Sequence, residues 1–321
     1  MISLLKRTPH TKGLVAVGFQ PDGVSIAQVV RDKGRTPQLA VCAFRACAAA
    51  DRRKILQELV KQHHFTGANC VSVLEPGSYQ LLQVEAPDVD ATELKAAVRW
   101  RVKDLIDFHI DDAVIDVFEM PSQGPRARAH IMYAVAARNP VITQRVELLE
   151  GAGLTVQAID ITELALRNIA QLLPEDVGGL ALLQLGHGEG MITLNQQATL
   201  YLARNLDIGV LQLGASNDAD GALAAQETRE RAFEAIMLEV QRSLDYYESN
   251  FAQAPIKNLI IAPLASPLPE LVDYAASHLG VKERTLDLNT VLESRTPLSA
   301  ELQARCMSTI GSALRLEEKV L

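Results

Sequence analysis

The spacing of hydrophobic and polar positions predicts a chain in which strands and helices alternate from end to end. Short apolar or alternating runs bounded by turn residues predict strands, and apolar residues three or four positions apart predict helices. The predicted strands cover residues 14–17, 24–30, 38–44, 70–74, 79–84, 110–120, 129–137, 154–159, 180–185, 191–194 and 256–262. The predicted helices cover residues 52–64, 90–106, 140–151, 161–173, 223–250, 269–279 and 300–316. This order of elements predicts an α/β protein.

The most informative motif is a glycine-rich turn between two of the predicted strands. An apolar run that begins at Leu180 enters the turn, and a β-like run at 191–194 leaves it. The glycines of the turn are Gly186, Gly188 and Gly190. Such a hairpin has the shape that grips phosphate, and a nucleotide-hydrolysing version is expected to carry a carboxylate nearby to hold Mg²⁺. Gln184 and Leu185 stand there instead, so the sequence predicts a nucleotide-type hairpin without its acid.

A change in the order of elements divides the chain into two lobes, with an insertion in the first. Residues 1–85 are predicted as the first lobe, which residues 160–175 complete. Pro87 interrupts the pattern, and the elements that follow predict an inserted subdomain at 86–159. Residues 176–321 are predicted as the second lobe.

Composition argues against several classes of function. The chain has 321 residues, 48% of them hydrophobic, which is enough for a large core or two lobes. Its net charge of −8 argues against a nucleic-acid-binding surface, and its 4% of aromatic residues argue against a base-stacking one. The four cysteines form no CxxC pair, so neither a zinc site nor a redox motif is indicated, and we expect no metal. Scattered thiols fit a reducing, cytoplasmic setting.

The remaining composition signals have ordinary interpretations. No apolar run reaches the length of about 18–20 residues that a membrane span requires. Residues 1–7 are too short for a signal peptide, and we expect either a frayed tail or a small hydrophobic and basic contact there. His63 and His64 are expected at a solvated helix end. The acidic residues around His109 are expected in a solvated loop rather than at a metal ion; they are Asp104, Asp107, Asp111 and Asp112.

Several longer segments resemble one known family. These segments are 97–108 with Asp116, 133–137, 150–154 with Asp160, 239–247 and 310–315. Together with the order of elements, they resemble the actin-like ATPase superfamily and, within it, the PilM family, the FtsA-like cytoplasmic proteins of type IV pilus assembly. The resemblance covers nearly the whole chain. Residues 99–109 most resemble the members that serve mannose-sensitive haemagglutinin pili.

The resemblance implies an α/β, actin-like (ribonuclease H-like) two-lobed fold with an insert subdomain of the PilM/FtsA type. Residues 1–85, completed by 160–175, then correspond to subdomain 1A, and residues 86–159 correspond to the insert subdomain 1C. Residues 176–321 correspond to the 2A/2B lobe, with 220–255 as its 2B-like part.

The family's nucleotide motifs are degraded at all three places in this chain. In the first hairpin, nucleotide-binding members carry an Asp, a Gly two residues later, small hydroxyl residues and a Lys. The corresponding positions here are Gly18, Gln20, Pro21 and Ser25. In the second hairpin Gln184 replaces the usual Asp, and the other positions of that motif are Gly186, Gly188 and Thr193. The third element is normally a Gly-Gly turn under the adenosine, and here it contains Pro263 and Leu264.

These departures predict lost hydrolysis and no bound ATP or Mg²⁺ cofactor. Each of the three elements contributes separately to a nucleotide site, so their joint loss is more telling than one substitution. The alternative is an ATP-binding switch or slow ATPase that uses a shifted carboxylate, either Glu189 or Asp22.

The resemblance also implies a binding partner. PilM-like proteins hold the N-terminal cytoplasmic tail of a bitopic PilN-like inner-membrane protein in a groove between the first subdomain and the insert. We therefore expect a scaffold that is peripheral at the inner membrane and links that tail to the assembly ATPase. Candidate partner-binding residues lie on the insert helix and are Arg99, Trp100 and Lys103. For Trp100, the sequence leaves core packing and a partner-binding anchor as alternatives.

Overall fold

The strands of the described residues form three sheets, of six, five and three strands, in the computed structural model. The structure describes residues 13–32, 34–121, 130–214, 222–251 and 253–316. Within these ranges, no helix combines the length and the apolar character that crossing a membrane requires.

The first sheet is built around the N-terminal hairpin. Its strands, in spatial order, are β14 (Glu293–Ser294), β3 (Gln38–Ala46), β2 (Gly23–Val30), β1 (Leu14–Gln20), β4 (Asn69–Leu74) and β8 (Thr155–Ile161). Strands β1 to β3 run antiparallel through short turns. Strands β1, β4 and β8 run parallel, which requires longer connections through helices.

Helices cover both faces of this first sheet. They are α1 (Arg52–Gln62) and α3 (Asn139–Gly151) on one face, and α4 (Thr162–Ala170) and α8 (Ala300–Ala313) on the other. Successive side chains of a strand point to opposite faces. Val15 and Val17 of β1 therefore pack with α1 and α3, whereas Ala16 packs with α4 and α8.

Helices α4 and α8 approach each other closely at a glycine. A Cβ added to Gly311 would overlap the backbone of Ala165 on α4, so only glycine allows this distance. The side-chain amide of Asn168 donates a hydrogen bond to the Gly311 carbonyl at 3.0 Å. The last helix of the chain is thereby fixed to the helix that follows β8.

The second sheet carries the glycine-rich turn. Its strands, in spatial order, are β11 (Thr199–Leu206), β10 (Gly190–Gln196), β9 (Leu180–Leu185), β12 (Asn258–Ile261) and β13 (Lys282–Thr285). The helices beside it are α5 (Val210–Leu213), α6 (Ala222–Asn250) and α7 (Pro269–His278). The apolar stripe of α6 is buried in the core of this sheet, as Ile236 and Val240 show. Strand β11 is left as an edge.

The third sheet has β7 (Ile131–Arg138) between two edges, β5 (Tyr79–Glu85) and β6 (Ala113–Glu119). Helix α2 (Ala91–Val102) covers one face through Val98 and Val102. The other face meets the second sheet, where the Tyr133 hydroxyl donates to the Tyr201 carbonyl on β11 at 3.1 Å.

The sheets place several segments differently from the sequence prediction. Strand β5 was expected in the first lobe, but it pairs along its length with β7 in the third sheet. Strand β8 and helix α3, expected in the insert, belong to the first sheet and its covering layer. Strand β14 and helix α8, expected in the second lobe, also join the first sheet. The apolar pattern identifies a strand but not the strand with which it pairs. The other predicted subdomain bounds, including those of the 2B-like part, stay predictions.

Some elements also differ in kind from the prediction or were not predicted. The predicted strand at 110–120 begins as a 3₁₀ turn at Ile110–Asp112, because the Arg99 guanidinium holds the Ile110 and Ala113 carbonyls. Strand β11 has no counterpart in the prediction, since Arg204 and Asn205 interrupt its apolar pattern.

Candidate functional site

The first segment that resembles a nucleotide motif of the family lies inside the first sheet rather than in an open turn. Gly18 stands in the middle of β1 opposite Ser25 on β2. Both are buried, and the Ser25 hydroxyl lies 2.6 Å from the Thr309 hydroxyl of α8. A Cβ on Gly18 would come closer than 3.0 Å to both hydroxyl oxygens. A carboxylate side chain at position 18 therefore has no room while Thr309 stays in place.

The end of the same hairpin is tied to α8 by an arginine. The Gln20 side-chain amide donates to the Arg305 carbonyl, and the Arg52 guanidinium donates to the Gln20 carbonyl at 2.6 Å. The Arg305 guanidinium pairs with Asp22 and lies 4.6 Å over the ring of Phe44. Asp22, one of the two shifted carboxylates considered above, thus already has an ion-pair partner.

Several backbone groups of the glycine-rich turn in the second hairpin already have partners, within the turn and on α5. The Gly186 amide donates to the Glu189 carbonyl at 2.8 Å, and the Val210 amide of α5 donates to the Gly186 carbonyl at 2.8 Å. Thr193 is fully buried, and its hydroxyl accepts from Asn195 at 2.9 Å. Glu189 is exposed at the tip of the turn.

Helix α8 makes side-chain contacts with both hairpins. The Gln184 amide donates to the Ser308 hydroxyl at 3.4 Å, one residue from the Thr309 contact to Ser25. Among the described residues, neither Thr193 nor Gly188 forms a hydrogen bond with Ser308 or Thr309. Pro263 is buried at the end of β12, in front of Leu264, which belongs to the second core.

A pocket of about 430 Å³ opens between the free edges of β5 and β11; we call it the edge slot. Its lining residues are Pro76, Gly77, Tyr79, Gln80, Leu81, Leu82, Gln83, Tyr133, Glu163, Ala203 and Asn205. Five consecutive residues of β5 line it although their side chains alternate between two faces, so the slot runs along the strand's edge. Free strand edges present unpaired backbone donors and acceptors, which an added strand can satisfy.

One wall of the edge slot carries a buried acid. Glu163 lies in the first turn of α4, and the Tyr79 hydroxyl donates to its carboxylate at 2.5 Å. The Thr162 amide donates to the same Tyr79 oxygen at 3.2 Å. Burial raises the pKa of the Glu163 carboxyl to about 7, although the Tyr79 hydrogen bond acts in the opposite direction. Burial, and then the neighbouring Glu163, raise the pKa of Tyr79 well above its ordinary value.

The predicted partner-binding residues of α2 lie away from the edge slot. The Trp100 side chain is 73% exposed, so the core-packing alternative is wrong. Lys103 is exposed too, with its ammonium 5.7 Å from the Trp100 ring centre. The Arg99 guanidinium instead donates hydrogen bonds to the carbonyls of Ile110 and Ala113, within the predicted insert. None of the three lines the edge slot.

His63, His109 and part of the acidic cluster have local partners. His63 stacks on Phe65 with ring centres 5.7 Å apart, and burial lowers its pKa. His109 accepts from the Asp111 amide at 3.3 Å. Across the described ranges, no cluster of three or more His, Cys, Asp or Glu side chains is arranged to hold a metal ion.

A comparison with protein families decides the family. Residues 53–216, just over half of the chain, match the family described as type IV pilus assembly protein PilM. The chain belongs to the PilM family. No curated protein matches the sequence significantly.

Solved structures similar to this PilM-family chain show its fold. One, described as a PilM–PilN type IV pilus biogenesis complex, is 20% identical with a TM-score of 0.71, covering 94% of this chain and 98% of its own. Another, from Bacteroides thetaiotaomicron, is described as a protein with an actin-like ATPase fold and unknown function. It is 10% identical with a TM-score of 0.50, covering 95% of this chain and 98% of its own. The predicted actin-like α/β fold is confirmed.

The sequence analysis did not predict the edge slot. Its second wall, β11, was not predicted, and Glu163 looks like an ordinary acidic residue in the first turn of a helix. A partial signal was the spacing of Leu200, Leu202 and Leu206 on one face of the strand, which Arg204 interrupts.

Proposed function

We propose that this chain is a non-catalytic actin-like scaffold of type IV pilus biogenesis that binds the N-terminal cytoplasmic tail of a PilN-like inner-membrane protein. The observation that carries the proposal is the edge slot between β5 and β11. Family membership and the similarity to a chain solved as a PilM–PilN complex support it.

The edge slot suits an extended segment better than a folded domain. An extended peptide gains backbone hydrogen bonds by adding to a free strand edge, and pockets for alternate side chains then provide specificity. Leu81 and Leu82 supply apolar surface in the slot, and Tyr133 bridges from the third sheet to β11. A tail that orders only on binding gives up part of its interaction free energy, so we expect modest affinity.

The non-catalytic part of the proposal rests on the two hairpins. Thr309 occupies the space beside Gly18, Arg305 pairs with Asp22, and Gln184 takes the place of the usual acid. The alternative, an ATP-binding switch or slow ATPase, would have to use Glu189, the exposed carboxylate of the turn. Titration calorimetry with Mg-ATP tests this part. We expect no binding below millimolar nucleotide, and a micromolar dissociation constant would favour the switch.

The finer assignment concerns the pilus and the location. We propose that the chain is MshI-like, acts in a mannose-sensitive haemagglutinin (MSHA) pilus, and has an MshJ-like partner, as the resemblance of residues 99–109 suggests. It would lie in the cytoplasm, peripheral to the inner membrane through that partner. The exposed Trp100 and Lys103 are then available to a second partner, for which we propose the assembly ATPase.

The tail-binding proposal is tested with a synthetic peptide that covers the segment before the transmembrane helix of the PilN-like partner. Asn205→Trp places a large ring at the exposed rim of the edge slot, and it is expected to weaken binding by tenfold or more, a loss of about 1.4 kcal/mol. The matched control is Leu238→Trp, at a 49%-exposed position on α6 outside the slot, which should bind like wild type. Equal binding by both variants would place the tail elsewhere.

A further inference from the structure

Glu163 is a buried acid at the edge slot whose hydrogen-bond partners are neutral. Its exposed fraction is 2%, and Tyr79 donates to one carboxylate oxygen. In the described part of the chain, no Lys or Arg forms an ion pair with Glu163. A buried carboxylate without a cation is costly, and such groups concentrate at functional sites.

The charged groups on the surrounding elements do not supply the missing cation. On β8, Asp160 adds a second negative charge and lies 3.5 Å from Arg315. On β11, the Arg204 guanidinium is paired with Glu239 of α6 at 2.8 Å. Along α4 itself, the Arg167 guanidinium donates to the neighbouring Asn168 at 2.7 Å.

The neutral groups that face Glu163 do not balance the charge of its carboxylate either. Tyr79 on β5 and Tyr133 on β7 present hydroxyl groups that are neutral at physiological pH, since burial raises the pKa of both. The first amides of α4 favour an ionised acid at this position, but burial outweighs them. None of the described residues that line the edge slot is basic.

We propose that the edge slot selects a lysine or arginine side chain of the bound tail, and that Glu163 is its counter-ion and the main determinant of that selection. This inference rests on the proposed tail binding. A cation that enters the slot would restore charge balance at Glu163, and the low dielectric would strengthen the pair. The slot would correspondingly reject tails that carry an acid at this place, because two buried like charges repel. The net charge of −8 further favours a basic partner segment.

Binding of a cation next to Glu163 would also change the protonation of its carboxyl group. Below about pH 7 the Glu163 carboxyl is largely protonated in the free protein, and an incoming cation must displace that proton into solvent. The affinity for the tail should therefore increase from pH 6 to pH 8. A tail held only by apolar contacts and backbone hydrogen bonds would show no such change.

The experiment compares the full chain with Glu163→Gln in fluorescence anisotropy of the labelled tail peptide, at pH 6 and pH 8. Glutamine keeps an acceptor for Tyr79, so the variant should fold, and a melting curve checks this. The control is Glu248→Gln, at an exposed position of α6. We expect Glu163→Gln to weaken binding at least tenfold at pH 8 and to abolish the pH dependence, whereas the control retains both.

A second set of peptides identifies the partner group. In these peptides, each Lys or Arg of the tail is replaced by glutamine in turn. One replacement should weaken binding to wild type about tenfold and leave binding to Glu163→Gln unchanged. The inference is overturned if the tail binds wild type and Glu163→Gln equally, or if every glutamine peptide binds wild type like the native tail. If the native tail does not bind wild type at all, the proposed function fails instead.

Discussion

Replacing Gly311 with alanine tests the close contact that joins α8 to α4. The added methyl group would lie more than an ångström inside van der Waals distance of the Ala165 carbonyl. The Ala165 atoms in conflict belong to the backbone, and an alanine methyl group has no alternative rotamer. No side-chain rotation can therefore relieve the overlap, and the two helices must separate.

The size of the effect follows from three contributions. Overpacking of this kind costs about 1–3 kcal/mol and sometimes more. Separation of the helices also weakens the hydrogen bond from Asn168 to the Gly311 carbonyl, worth about 1 kcal/mol. Alanine returns about 1 kcal/mol through its better helix propensity. We therefore expect the free energy of unfolding to fall by about 1–3 kcal/mol.

Urea denaturation followed by circular dichroism measures this loss. The midpoint should fall while the slope of the transition stays constant, because the surface exposed on unfolding does not change. The control is Gly188→Ala, where nothing lies within 4 Å of the added Cβ, and it should stay within about 0.5 kcal/mol of wild type. If Gly311→Ala is as stable as this control, the contact between α4 and α8 is not as close as described.

The remaining predictions concern protonation and the insert helix. Because the Glu163 pKa of about 7 in the folded protein exceeds the ordinary 4.5, its stabilising contribution is complete below pH 4.5 and falls by about 3 kcal/mol as pH rises through 7. Glu163→Gln should remove this dependence in urea titrations between pH 5 and pH 8, and an unchanged slope would contradict it. Arg99→Glu should lower the free energy of unfolding by about 1–3 kcal/mol, since the Ile110 and Ala113 carbonyls lose their donor. Lys103→Glu, on the exposed face, should change it by less than about 0.5 kcal/mol, and equal losses in the two variants would refute this distinction.

Much of the fold is readable from the sequence because the apolar patterns are local. The stripe of α6 and the glycine-rich turn between β9 and β10 occur where the spacing predicts them. Which sheet a strand joins is decided by residues far away in the chain. Strand β5 pairs with β7 although β4 lies closer in sequence, and no local pattern reports that choice.

The candidate site was less predictable for the same reason. The proposed loss of the nucleotide motifs at Gly18 and Gln184 rests on residue identity, so the sequence alone is enough to suggest it. The edge slot, in contrast, exists only because β5 and β11 come from different sheets that meet through Tyr133 and Tyr201. The exposure of Trp100 was also not predictable, because its position on α2 did not reveal which side of the helix faces the sheet.

A crystal structure of the chain with the tail peptide of its PilN-like partner tests the central claim most directly. The account predicts an extended segment alongside β5 in the edge slot, with a basic side chain next to Glu163. A tail bound on the outer face of α2 around Trp100, or in the cleft between the two hairpins, would contradict the account.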